Sequence, residues 1–332
     1  MSTLRQDPTT AEWVIVAPQR AARPRAQGSH QRPEEPALDP DCPFCPGSED
    51  RTPPEVARIE LGGSWDQRAF PNLYPALEGN GSTERSGSAL FREMPGVGEH
   101  EVIVESPRHD ERLDDMETER LAAALGLWRD RYAALRDLPW VKSVIVFRNF
   151  GPRAGTSLPH PHSQILATPV FAPDSLRRFS VATRYYDDHG RCVYDDLRQA
   201  ELAVGERIVL EDERFVALAP FASRNPYETW ILPRHHRASF GEVPDEELEG
   251  LARALGGVLR ALRTGADDPD YNLIVQSAPA HEEGKPFFLW HLQLFPRTTT
   301  PAGFELGSGM SINPMAPEQA AATLRDAIAV RP

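Results

Sequence analysis

No stretch of this chain approaches the roughly 18 consecutive apolar residues of a membrane-spanning helix, which argues against such a span. The opening MSTLRQDPTTAEW has no apolar run behind a basic head, so a secretory signal is not expected. Cysteine is scarce: Cys42, Cys45 and Cys192 are the only three, too few for a disulfide framework, and a reducing cytoplasmic setting is expected. Positive charge is short as well. The formal net charge is −13, which argues against wrapping nucleic acid, because phosphate backbones reward a basic surface. A local arginine cluster can still hold a small phosphorylated ligand inside an acidic protein. What is present fits a globular chain: 40% hydrophobic and 26% charged residues over 332 positions. That length suffices for about two domains, each with its own core.

Between Arg20 and Pro54, proline, arginine and glutamate dominate without a period, the mark of an extended loop. EHEVIVESPRH (Glu99–His109) then carries a β-branched run, a strand closed by Pro107. ERLAAALGLWRDRYAALRDL (Glu119–Leu138) spaces its apolar residues as an amphipathic helix does. VKSVIVFRNFG (Val141–Gly151) and HSQILATPV (His162–Val170) read as two further strands. The pattern weakens from about Asp174 to Asp196, which places a boundary there and gives domains 1–173 and 174–332. Beyond it, YETWILPRHH (Tyr227–His236), PDEELEGLARALGGVLRALRT (Pro244–Thr264), YNLIVQSAP (Tyr271–Pro279) and FLWHLQLFPR (Phe288–Arg297) repeat strand, helix, strand, strand. Aligned this way, His160 matches His291 and His162 matches Gln293, so the second copy has lost a histidine.

The stretch GTSLPHPHSQ (Gly155–Gln164) sets two of the ten histidines about one proline. Strand alternation would turn His160 and His162 into one pocket, while Pro161 implies an edge or an irregular strand end. Neutral imidazole is nucleophilic near pH 7, so such a histidine can attack phosphorus. The preceding Thr156 and Ser157 offer amides and hydroxyls to a phosphate. Two core histidines satisfied by backbone are the plainer alternative. CPFCPG (Cys42–Gly47) favours a zinc half-site over a redox pair, since no helix start follows it; His109 and His160 are the best remaining ligands for a closed, structural site. Two free thiols in a turn are the alternative. Cys192 has no partner in sequence. Arg20, Arg23 and Arg25 form either a solvated face or a phosphate clamp, and Asn72 in RAFPNLYPAL suits a ribose or base contact or an ordinary turn. AGFELGSGMSINP (Ala302–Pro314) is glycine-rich without the G-x-G-x-x-G spacing of a dinucleotide fold. His235 and His236 read as surface or core residues.

GTSLPHPHSQ, with DCPFCPG upstream and WVIVAPQRAARP near the start, resembles the galactose-1-phosphate uridylyltransferase family of the histidine-triad superfamily, over nearly the whole chain. The resemblance implies an α+β fold of two tandem histidine-triad-like halves, antiparallel half-barrel sheets with packed helices, assembled as a homodimer. It implies ping-pong transfer between a nucleotide sugar and a sugar 1-phosphate: His162 attacks the α-phosphorus and carries the nucleotidyl group until the acceptor takes it. Gln164, Ser157 and Thr156 would assist at the phosphates, Arg20 and Arg23 match phosphate-side arginines, and Asn72 and Asn149 match nucleotide contacts. Glu305 matches a hexose contact from a second half whose own site is degenerate. Cys42, Cys45, His109 and His160 match ligands of a structural zinc ion.

The departures are informative. Leu73-Tyr74 follow Asn72 where the uridylyl pattern carries Asp-Phe, so an acidic contact is missing. Thr156 and Leu158 replace the usual cysteine and asparagine, and Gln293 stands where some members place a second-metal histidine. The pattern also occurs in ADP-sugar phosphorylases, which use the same histidine and pass the nucleotide to inorganic phosphate. A zinc-containing nucleotide-binding protein without transfer activity is the remaining alternative.

Overall fold

In chain order the strands are β1 (Thr3–Gln6), β2 (Trp13–Val16), β3 (Ala57–Leu61), β4 (Ser64–Pro71), β5 (Ser86–Gly87), β6 (Arg92–Glu93), β7 (Glu99–Val104), β8 (Ser143–Phe150), β9 (His162–Thr168), β10 (Ile208–Glu211), β11 (Phe215–Leu218), β12 (Thr229–Pro233), β13 (Tyr271–Gln276), β14 (His291–Pro296) and β15 (Ser311–Asn313). The helices are α1 (Thr118–Arg136), α2 (Pro173–His189), α3 (Val193–Val204), α4 (Asp245–Gly265), α5 (Gly303–Ser308) and α6 (Pro317–Ala329). This computed structural model describes residues 1–22, 32–79 and 81–329. No helix among the described residues is long and apolar enough to cross a membrane.

Ten strands form one open, antiparallel sheet in the order β10-β11-β12-β14-β13-β8-β9-β7-β4-β3. Counted inward from either edge the sequence of roles is the same. β7-α1-β8-β9 on one side answers β12-α4-β13-β14 on the other, and the halves join where β8 pairs β13, Asn149 opposite Asn272. A smaller sheet, β1-β2-β15, ties the start of the chain to its C-terminal region, with β15 parallel to β2.

The alternation of each strand divides its side chains between two faces. One face, with Ile103, Val146, Ile165, Leu273 and Leu292, is buried against Trp128 and Leu125 of α1 and Leu251 and Leu255 of α4. Each large side chain buried there stabilises the fold by about 1.5–3 kcal/mol relative to exposure. The opposite face is covered unevenly. A loop carrying Cys42, Phe44 and Cys45 packs on Val102 and Val104 of the first half, whereas Tyr194 and Ala182 of α3 and α2 pack on Trp230 and Leu232 of the second. The stretch from Asp174 to Asp196, which shows little pattern in sequence, is thus two helices. Its period is masked because a buried position of α2 is charged: Arg178 is fully buried, ion-paired to Asp174 at 2.8 Å. The segment from Arg20 to Pro54 has no strand among its described residues.

Candidate active site

Four buried side chains converge below the mouth of β9. Cys45 Sγ lies 3.5 Å from both His109 Nδ1 and His160 Nδ1, Cys42 Sγ lies 3.8 Å from His160 Nδ1, and the two Nδ1 atoms are 3.3 Å apart. A tetrahedral ion with bonds of about 2.3 Å to sulfur and about 2.05 Å to nitrogen requires donor–donor edges of about 3.3–3.8 Å, the range of the four contacts above. The ring nitrogens are set for it. His160 donates its Nε2–H to the Ser106 carbonyl at 2.8 Å, leaving Nδ1 bare, and the Glu35 carboxylate stands 3.6 Å from His109 Nε2. Burial pushes His160 down to about 3, so it is neutral and able to ligate, and pushes the Cys42 thiol up to about 11, a cost a cation would reverse. A cation bound by both Nδ1 atoms accommodates their approach to 3.3 Å.

His160 and His162 do not share a pocket, contrary to the alternation argument. Pro161 keeps the strand from starting before His162, so the alternation does not extend back to His160. Phe44 packs against both rings, 6.1 Å from His160 and 5.3 Å from His162. His162 donates its Nδ1–H to the His160 carbonyl at 2.8 Å, and its Nε2 has no partner among the described residues. Burial holds the imidazole down to about 4, assisted by the positive charge of Arg148, so Nε2 carries a lone pair at neutral pH. On the far face, Arg148 donates to the His162 carbonyl at 3.3 Å and pairs with buried Glu105 at 3.3 Å, fixing the backbone under the ring. Glu105 also accepts from Ser163 Oγ.

Gln164 follows on the same face as His162. Its Oε1 lies 2.9 Å from Nε2 of His100, a residue the sequence reading passed over. The signal for it is register: β7 pairs Val102 with Gln164, so His100 and Gln164 are diagonal neighbours on one face. Asn72 sits in the loop after β4, its backbone N–H donating to the His100 carbonyl at 2.7 Å, its Oδ1 accepting from Tyr74 N–H at 2.9 Å and its Nδ2 lying 3.3 Å from His100 Nε2.

Asn149, Thr156 and Ser157 line a cavity of about 590 Å³ together with Arg112 and Arg148. Gly151 makes the exit from β8 possible: its φ is +86° and a Cβ would land on the Asp270 carboxylate. Asn149 Oδ1 accepts from Asn272 Nδ2 across the joint between halves at 2.7 Å. Arg20 and Glu305 are elsewhere. They share a cavity of about 440 Å³ with Arg224 and the Thr298–Thr300 run, brought together by the β2·β15 pairing, and His162 and Gln164 line neither cavity. Arg23 and Arg25 lie outside the described residues.

The second half has not lost the histidine that answers His162. His291 opens β14 as His162 opens β9, and each donates Nδ1–H to the carbonyl two residues earlier, at 3.0 Å to Leu289 in the second half. Gln293 therefore answers Gln164, and the sequence alignment is out by two. What differs is access. Tyr194 and Trp230 rings pack 5.1 Å from His291, and Gln293 Nε2 reaches His291 Nε2 at 3.2 Å. Burial pushes His291 down to about 3, so the folded state resists a proton that the unfolded chain accepts below about 6.5. Its contribution to stability is present above that range and is lost as pH falls toward 3. His291→Gln should therefore lose less stability than wild type between pH 7 and 4.5, by about 1–3 kcal/mol in paired urea titrations, with carboxylate effects common to both. Equal losses would show that His291 is not held neutral.

Cys192 has neighbours after all. Together with Asp195 and His236 it forms a group of three possible donors, and Asp195 lies 2.8 Å from His236 Nδ1, raising that imidazole to about 10.

A neutral imidazole with a free lone pair and a buried Cys2His2 cluster behind it are features that a nucleotidyl-transfer enzyme can use. Residues 1–172 match the model of the galactose-1-phosphate uridyl transferase N-terminal domain and residues 178–329 that of the C-terminal domain, and the chain belongs to this family. An ADP-glucose phosphorylase of Arabidopsis thaliana is 33% identical over 97% of this chain and 92% of its own length. A galactose-1-phosphate uridylyltransferase of Thermotoga maritima is 31% identical over 98% of each. The crystal structure of an ADP-glucose phosphorylase from Arabidopsis thaliana with bound ADP-glucose superposes with a TM-score of 0.86, covering 98% of both chains at 32% identity.

Proposed function

We propose that the chain moves a nucleoside monophosphate from a nucleotide sugar to a phosphate-bearing acceptor through a covalent bond to His162. The observation that carries this reading is the free Nε2 of a buried, neutral imidazole whose Nδ1–H is committed to the His160 carbonyl. The Nε2 lone pair attacks the α-phosphorus. The bond from that phosphorus to the bridging oxygen breaks, and sugar 1-phosphate leaves with the electron pair. The phosphoryl-imidazolium keeps its Nδ1–H on the carbonyl, which offsets the positive charge. A phosphate oxygen of the acceptor then takes the nucleotidyl group, and neutral His162 returns. Gln164, Thr156 and Ser157 supply donors to the phosphoryl oxygens, and Asn72 and Asn149 hold the nucleoside. Positioning and charge stabilisation carry most of the rate, since bonds of similar energy are exchanged.

Residues 1–173 carry this chemistry in our reading, and residues 174–332 are a degenerate copy whose contribution is Glu305, at the sugar. Because Arg20 and Glu305 line a cavity distinct from the one that holds Asn149, Thr156 and Ser157, our reading has a second copy of the chain supply them, with Arg23, to each site of a homodimer. The metal is zinc, held by Cys42, Cys45, His109 and His160. Bound there it supplies folding energy and no Lewis-acid chemistry, because protein fills all four positions. A cytoplasmic setting fits its three free cysteines.

For the base, a second reading has its own observation. Leu73 offers no carboxylate beside Asn72, so the uridylyl pattern is incomplete, and an adenylyl group passed to inorganic phosphate fits this loop better. Native mass spectrometry after separate mixing with UDP-glucose, ADP-glucose and a GDP-sugar tests both points. The expected result is a two-chain mass carrying one adenylyl group per chain with ADP-glucose. A uridylyl adduct instead selects the transferase reading, a single-chain mass overturns the dimer, and no adduct with any donor leaves a binding protein.

A further inference from the structure

The two halves place the same glutamine in two different states. Gln164 and Gln293 each stand two residues past a strand-opening histidine, opposite Phe147 and Ile274 respectively. In the second half Gln276 Nε2 donates to Gln293 Oε1 at 3.0 Å, and the remaining end of that amide caps His291 Nε2. A capped nitrogen has no lone pair to offer. In the first half the position of Gln276 is taken by Asn149, two residues past Phe147, and Asn149 is engaged by Asn272. The oxygen of Gln164 is instead gripped from the other side, by His100 of β7.

The tautomer of His100 follows from a group that cannot flip. The backbone N–H of Ala76 donates to His100 Nδ1 at 3.1 Å, so the proton of the neutral ring is on Nε2; of the two groups that approach Nε2, Gln164 Oε1 at 2.9 Å accepts it, while Asn72 Nδ2 at 3.3 Å, itself a donor, does not. Gln164 Nε2 has no partner among the described residues, so its two hydrogens remain for a ligand. The second half has no counterpart. Its residue at this place is Glu228, two before Trp230 as His100 is two before Val102, and the Glu228 carboxylate accepts from Trp230 Nε1 at 3.0 Å and from the Arg224 amide.

We propose that His100 is a positioning residue that holds the Gln164 amide off the nucleophile, keeping His162 Nε2 uncapped and presenting the Gln164 amide hydrogens to the transferring phosphoryl group. Because the Ala76 amide belongs to the loop that begins at Asn72, the same contact links the nucleoside side of the site to the amide that serves the phosphate. The consequence for transfer rests on the nucleophile assignment made above; the hydrogen-bond consequence does not.

Histidine-selective 15N NMR of the full chain separates the two. In His100→Phe, which keeps a ring but no donor, the His162 Nε2 resonance should move to the position of a hydrogen-bonded acceptor, for which His291 Nε2 in the same spectrum is the reference. An unchanged His291 signal reports an intact fold. Adding Gln164→Ala should return the His162 resonance to that of the uncapped nitrogen. In single-turnover labelling, with whichever of UDP-glucose or ADP-glucose labels wild type, His100→Phe should slow transfer about tenfold at unchanged KM, the scale of one hydrogen bond. His100→Gln, which restores an amide donor, should recover most of the rate. Gln164→Ala should cost about 100-fold, as loss of one preorganised donor does, and His100→Phe should add nothing to it. A His162 resonance that does not move, or rate losses that multiply, overturns the role of His100. A moved resonance with unaffected labelling in Gln164→Ala overturns the role of Gln164 in transfer and leaves the contact standing.

Discussion

His162→Gly will take up no nucleotidyl group from any nucleotide sugar, and exchange will fall by at least about 10⁴-fold while nucleotide binding persists. The size of the effect follows from what the ring does. It forms the one bond between protein and nucleotide in the proposed cycle, and the other imidazoles of the two repeat sites cannot replace it. His160 is turned into the Cys2His2 cluster, and His291 is sealed under Tyr194 and Trp230. His100 is committed at both nitrogens. The glycine leaves the strand in place, because Arg148 binds the carbonyl of residue 162 and not its side chain. Intact mass after mixing with donor reads the first expectation, and calorimetry with the free nucleotide reads the second. An adduct that survives in the variant would move the nucleophile elsewhere. Binding lost together with labelling would show that the ring holds the site's shape.

Much of the fold is legible in the chain because its repeat unit is local. β7, α1, β8 and β9, and then β12, α4, β13 and β14, each declare themselves by a β-branched run or a helical spacing of apolar residues. The Cys2His2 cluster is legible for a similar reason, since few residue types ligate and the chain has few of them. Three things are not. The offset between the halves is hidden by the period of a strand: sliding one copy by two residues leaves every side chain on its own face, so pattern alone cannot choose between His160 and His162 as the partner of His291. Hydrogen bonds to Leu289 and His160 decide it. The role of His100 is set by cross-strand register, which no window along the sequence contains. The company of Arg20 and Glu305 depends on β15 returning parallel to β2 across most of the chain, the longest-range pairing in the molecule.

Cys42→Ser should release the metal, zinc in the reading proposed above, and lower the melting temperature by roughly 5–15 °C, the shift expected from a loss of several kcal/mol in a domain this large. The four donors are buried and converge on one point. A cation would offset the burial that keeps the Cys42 thiol protonated, and His109 Nε2 has no hydrogen-bond partner among the described residues. The Nδ1 atoms of His109 and His160 approach to 3.3 Å. Serine keeps the size of the side chain and removes the thiolate, so the change isolates ligation from packing. Apart from Arg68 of β4, whose guanidinium donates to the Pro43 carbonyl at 3.3 Å, the loop from Asp39 to Gly47 is held by short turns, with Cys42 and Cys45 amides bonded within it and Phe44 anchored on Val102 and Val104. Without the ion that anchor loosens. Because Phe44 packs against His162, and because the His160 carbonyl orients the His162 ring, labelling of His162 should slow in the same variant. Inductively coupled plasma mass spectrometry on protein dialysed free of loose metal, paired with calorimetric melting, reads both effects. A variant that keeps one zinc per chain and melts with wild type would remove Cys42 from the ligand set, and with it the metal's hold on the nucleophile.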